Sequence, residues 1–152
     1  MNISNPSLTI NVAGIQNLRT AIWFGTLAPV LLSASGTPTL LTFTNTGQKF
    51  GGAGLITIAN NQVVLNAAGI VQVVLLGQLS DLASLNSLLG IQFPSDAPNL
   101  MRASAPFVNG YATSLYNQPV NSGDTINVVG SAQKAAQQIL GGTISVRLDL
   151  IA

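Results

Sequence analysis

Four aspartates, Asp81, Asp96, Asp124 and Asp149, make up the whole acidic complement of this 152-residue sequence, which has no glutamate, histidine or cysteine. Proton transfer near neutral pH draws first on histidine, and covalent catalysis has no thiol to use here. Metal centres of the zinc type lose their two best ligands. A calcium site from Asp81, Asp96 and backbone carbonyls would lack the clustered carboxylates that such sites use. Asp124, in Ser122-Gly123-Asp124-Thr125, reads as a turn residue that binds its own backbone. Gly51-Gly52-Ala53-Gly54 does not end in Gly-Lys-Ser/Thr and precedes no helix, so it reads as a bend or a close backbone approach, not a phosphate cradle. This inventory predicts a protein that is not an enzyme and needs no metal or cofactor.

The remaining charges are sparse. Charged residues are 6% of the chain, against roughly 25% in an average soluble domain, while hydrophobic residues are 47%. Arg19, Lys49, Arg102, Lys134 and Arg147 stand singly and form no basic stripe, so a nucleic-acid partner is not expected. High hydrophobicity with net charge +1 is the opposite of a disordered composition. The longest apolar stretch, Ile22 to Leu32, is shorter than the ~20 residues of a spanning helix and contains Gly25 and Pro29. No membrane span is therefore expected. Ser, Thr, Asn, Gln and Gly must clothe the surface, or copies of the chain must cover it. Little self-repulsion opposes the second arrangement, so the expected partner is the chain itself. Met1 to Pro6 carries neither a basic nor an apolar region, and a surface location without a secretory signal is the expectation.

The elements that must build such a surface are strands. Ser7-Leu-Thr-Ile-Asn-Val12 alternates at period two, with Leu8, Ile10 and Val12 on one face. Leu18 to Phe24, Val30 to Ala34 and Leu40 to Thr44 follow, the last closed by an Asn45-Thr-Gly47 turn. Leu55 to Ala59 and Gln62 to Leu65 flank Asn60-Asn61, residues suited to a tight turn with positive φ. Ile70 to Leu76 is nearly continuous and β-branched, the pattern of a central strand buried on both faces. Ser80 to Leu89 has leucines at helical spacing and reads as a short helical turn or a loop. Ile91 to Ala105 is punctuated by prolines and reads as loop at both ends. Phe107 to Leu115 and Thr125 to Val129 are strands, and Gly130 to Gly142 is a polar excursion. Thr143 to Ile151 alternates most cleanly, with Ile144, Val146, Leu148 and Leu150 as a core strand and Arg147 and Asp149 facing out or pairing across subunits. About nine strands at intervals of roughly 8–12 residues predict an antiparallel β-sandwich or barrel.

Three segments carry a resemblance. Ala68-Gly69-Ile70-Val71-Gln72-Val73, Gly123-Asp124-Thr125-Ile126-Asn127-Val128 and the final alternating strand resemble the trimeric jelly rolls of the tumour necrosis factor and complement globular-head superfamily. Over Leu40 to Ala152 the chain is most similar to the C-terminal domains of collagen-like spore-surface glycoproteins of bacilli and clostridia. No collagen Gly-X-Y stem precedes it, and Ile70 stands where those domains carry an aromatic. The resemblance implies a jelly-roll homotrimer with apolar inner strands around a three-fold axis. It implies a jelly-roll domain over residues 14–152, preceded by an extension, residues 1–13. That extension would either close the subunit's own sheet or join one subunit to the next through Leu8, Ile10 and Val12. The expected function is a structural, self-assembling subunit of a spore-surface layer, appendage or fibre. A receptor-binding or capsid jelly roll of a virus or phage is the alternative.

Overall fold

The computed structural model describes residues 20–52, 54–81 and 86–151. Residues 1–13, including Leu8, Ile10 and Val12, lie outside them. The described residues form an antiparallel β-sandwich of twelve strands, more than the nine expected. The first sheet runs β10 (Tyr111–Val120), β7 (Gly69–Leu79), β12 (Gln138–Leu150), β1 (Thr20–Leu27), β4 (Phe43–Gly51), with the short β2 (Val30–Leu31) paired to β12. The second runs β5 (Ile56–Ala59), β6 (Gln62–Leu65), β11 (Thr125–Ser131), β8 (Leu88–Gln92), β9 (Arg102–Pro106), with β3 (Thr39–Leu40) paired to β11. Apart from the β5–β6 and β8–β9 pairs, the neighbouring strands are non-consecutive, so most pairings close long loops.

Period-two alternation drives the inward faces together. Trp23, Val71, Val73, Leu75, Ile144, Val146 and Leu148 from the first sheet meet Ile56, Val63, Leu65, Leu89, Ile91, Ile126 and Val128 from the second, all buried. Burying each aliphatic side chain contributes about 1.5–3 kcal/mol relative to exposure. Trp23 is enclosed and meets Phe43 edge to face at 5.2 Å. Leu150, at the end of β12, is half-buried.

Local chemistry explains the turns. Asn60 (φ 51°) and Asn61 (φ 59°) make the β5–β6 hairpin, as the left-handed tolerance of asparagine allows. Asp124 Oδ2 accepts the Asn121 N–H at 2.8 Å, closing the turn into β11. The Gly51-Gly52 step makes a close backbone approach, Gly52 N–H donating to the Thr20 carbonyl at 3.1 Å.

Several expectations are corrected. Asn45-Thr-Gly47 is no turn: β4 runs through it, and the register against β1 absorbs an extra residue between Gln48 and Asn45 as a bulge. Leu88 and Leu89 belong to β8, not to a helical turn, because pairing with β11 supplies backbone partners that helical leucine spacing did not foretell; Leu82 and Leu85 lie outside the described residues. Proline-punctuated 91–105 still contributes β9, an edge strand, where a missing N–H is tolerated. The last strand begins at Gln138 and the strand after Phe107 at Tyr111. Strand β7 is buried on one face only: Ile70 and Leu76 are exposed on the other.

Candidate self-association face

The outward face of the first sheet is assembled row by row from strand register. One row reads Leu115, Val74, Ser145, Phe24 across β10, β7, β12 and β1. The next reads Asn117, Gln72, Arg147, Ile22 and, on β4, Phe50. On one side of these lie Thr113, Leu76, Thr143 and Thr26; on the other lie Pro119, Ile70, Asp149 and Thr20. Six of these outward residues and their neighbours are large and apolar with 38–60% of their surface in water: Ile70, Phe24, Leu76, Phe50, Leu115 and Tyr111. Phe24 and Phe50 pack edge to face at 6.1 Å. The apolar groups fall on either side of the polar outward residues of β12, Thr143, Ser145, Arg147 and Asp149, and so many large apolar side chains exposed on one sheet face make it a candidate interaction surface.

Polar groups on the face are held locally. Thr20 Oγ1 donates to Asp149 Oδ1 at 2.7 Å, and Arg147 Nε donates to Asp149 Oδ2 at 2.9 Å. Arg147 and Asp149 are the only charged residues on β1, β7, β10 and β12. Beside Leu76 and Tyr111 the face dips into an open depression of ≈ 510 Å³, where Gly77, Gly141 and Gly142 leave it without side chains. A Cβ on Gly142 would stand 2.0 Å from the Leu76 carbonyl oxygen, so the close β12–β7 approach requires glycine.

The aspartates have structural partners. Asp96 takes two bonds from Arg102, Nε to Oδ2 at 2.9 Å and Nη2 to Oδ1 at 2.6 Å, and accepts the Phe93 N–H. The Arg102 hydrogen bonds hold the Asp96 carboxyl below its ordinary value against the opposing effect of burial, and Asp96 raises the Arg102 guanidinium in turn. Asp81 accepts from Lys134 at 3.1 Å and from Gln137 at 3.3 Å. Buried Gln137 in turn accepts a hydrogen bond from buried Ser87. Among the described residues no three acids, histidines or cysteines group as metal ligands. No helix among them is long and apolar enough to cross a membrane.

Of the residues predicted for the core strand, Ile144, Val146 and Leu148 line the sandwich interior, and Arg147 and Asp149 stand on the opposite face. The resemblance implies apolar strands around a three-fold axis, but the sequence does not tell which residues form the outward face. Its signal is the nearly continuous apolar run Ile70 to Leu76, whose pattern is that of a strand buried on both faces.

The strand order and the two-sheet packing define a jelly roll of the tumour-necrosis-factor type. Similar solved structures include murine APRIL at pH 8.5, 10% identical, with a TM-score of 0.55 over 84% of this chain and 98% of that chain. APRIL at pH 8.0 gives 13% identity and the same TM-score and coverage. Eiger TNF from S. frugiperda is 12% identical, with a TM-score of 0.50 over 88% of this chain and 92% of that chain. No protein-family model matches the sequence, and no curated protein matches it.

Proposed function

We propose that the chain is a non-catalytic structural subunit that forms a homotrimer through the outward face of its first sheet. These trimers build a surface layer, appendage or fibre of the kind found on bacterial spores. The observation that carries the reading is the apolar face itself: Phe24, Phe50, Ile70, Val74, Leu76 and Leu115 lie on one sheet surface with a single ion pair among them. Covering that face with further copies would bury β7 on both sides, in keeping with its nearly continuous apolar sequence. The three-fold arrangement and the spore-surface setting rest on the sequence resemblance of Ala68 to Val73, Gly123 to Val128 and the last strand.

The alternating segment Ser7 to Val12 would then join one trimer to the next, with Leu8, Ile10 and Val12 entering alternate pockets of a neighbour. Negative-stain microscopy of the full chain and of the chain lacking residues 1–13 tests the assembly. Fibres or layers from the full chain and discrete trimers from the truncated one are expected. Closed particles would favour a capsid role. Loss of folding on truncation would assign the segment to the subunit's own sheet.

A further inference from the structure

A second concavity lies at the edge of the self-association face, where the loop after β8, the start of β9, the end of β10 and the turn into β11 converge. It is open, holds ≈ 480 Å³, and its lining includes the mutually packed Arg102, Phe93 and Tyr116. The guanidinium carbon of Arg102 sits 4.6 Å from the Phe93 ring centroid, and Tyr116 meets Phe93 edge to face at 5.8 Å. The volume falls in the range of small-molecule sites, roughly 300–1,000 Å³.

The site is preformed. Gln92 Nε2 donates to the carbonyls of Pro98 and Leu100, both at 3.0 Å, which pins the loop after β8. The two-fold Arg102–Asp96 bond fixes the guanidinium over Phe93. On the opposite rim Asp124 Oδ2 is taken by the Asn121 N–H, and Oδ1 has no hydrogen bond among the described residues. Ser95 and Thr125 add hydroxyls to the rim.

The charges select the ligand. Asp96 neutralises Arg102, and Asp124 leaves the site with a net negative charge, which disfavours phosphate and other anions. An aromatic lining beside a carboxylate acceptor and two hydroxyls suits a molecule with an apolar C–H face and a ring of hydroxyl groups. We propose that this pocket is a binding site for a neutral pyranose sugar, stacked on Tyr116 and donating hydroxyl hydrogen bonds to Asp124. Among its lining residues Pro119 alone belongs to the outward rows of the first sheet, in the row of Ile70 on the edge strand β10.

Saturation-transfer NMR on the full chain tests it, with methyl β-D-glucopyranoside, methyl β-D-galactopyranoside and N-acetyl-D-glucosamine as probes. At least one probe should receive saturation on its ring C–H protons. Asp124→Asn, which keeps an acceptor for Asn121, should weaken that binding about tenfold, as expected for losing a hydrogen bond to a charged group. Tyr116→Leu should abolish the transfer; should that variant fail to fold, Asp124→Asn carries the test. The proposal is overturned if none of the three sugars binds, if binding is unchanged in Asp124→Asn, or if only inorganic phosphate or tetramethylammonium occupies the pocket.

Discussion

The two sheets obey one alternation rule and present opposite surfaces to water. On the second sheet the outward residues include Thr57, Val64 and Thr125 in one row, with Gln62, Asn127 and Gln92 nearby and the exposed Leu40 opposite Val129. Gln62 Nε2 donates to Asn127 Oδ1 at 2.8 Å across the β6–β11 pair. On the first sheet the equivalent surface carries Phe24, Phe50, Ile70, Val74, Leu76 and Leu115. Secondary structure makes no such distinction, since both sheets need only one apolar face to form the core. The difference is the one the proposed self-association requires, a polar face for water and an apolar face for a second copy.

The sharpest break would come from the shared interior. Val146 is fully buried. Val146→Asp would place an unpaired charge there at a cost of several kcal/mol, a large part of a typical stability of about 5–15 kcal/mol. No cooperative melting transition is expected by circular dichroism. A wild-type melt would mean that β12 is out of phase by one residue.

A charge on either outer face sharpens the contrast. Leu76→Asp should leave a folded chain and disperse the oligomer into monomers by light scattering, because a charge at the core of an interface must be desolvated on association. Thr125→Asp on the second sheet should leave the oligomer intact. Equal behaviour of the two variants would remove the distinction between the faces.

Gly142→Ala tests the geometry of the first sheet at smaller amplitude. The added Cβ must push β12 from β7, and a loss of about 1–3 kcal/mol is expected in denaturant unfolding. A neutral outcome would show that the strands separate freely at that point.

How much of this was legible in the sequence follows from which forces are local. The Asn60-Asn61 turn, the Asp124 turn and the phase of Ile144, Val146 and Leu148 depend on neighbours within a few residues, and they could be read directly. The bulge through Asn45-Thr-Gly47 could not, because it is imposed by pairing with β1, outside the local window that turn residues report. The run Ile70 to Leu76 showed that both sides of β7 are apolar, but not that one of them faces outward. The rim pocket was invisible for a related reason: Phe93, Arg102, Tyr116 and Asp124 come from four separate stretches, and proline-rich spacing at 91–105 suggested only loop.

The smallest effect concerns pH. Arg102 holds Asp96 below its ordinary value, so the folded pKa lies below that of the unfolded chain, about 3.9. Its stabilising contribution is complete above the unfolded value and is lost as pH falls through the folded one. Melting temperature should therefore drop on acidification below about pH 4, and Asp96→Asn should flatten that part of the curve. An unchanged acid limb in Asp96→Asn would show that the pair has no role in acid stability.

Sedimentation equilibrium of the full chain at micromolar concentration tests the central claim most directly. A species of three times the 15.6 kDa chain mass, or a larger assembly built from it, is the predicted result. A clean monomer at that concentration, with the apolar face of the first sheet left in water, would contradict the account.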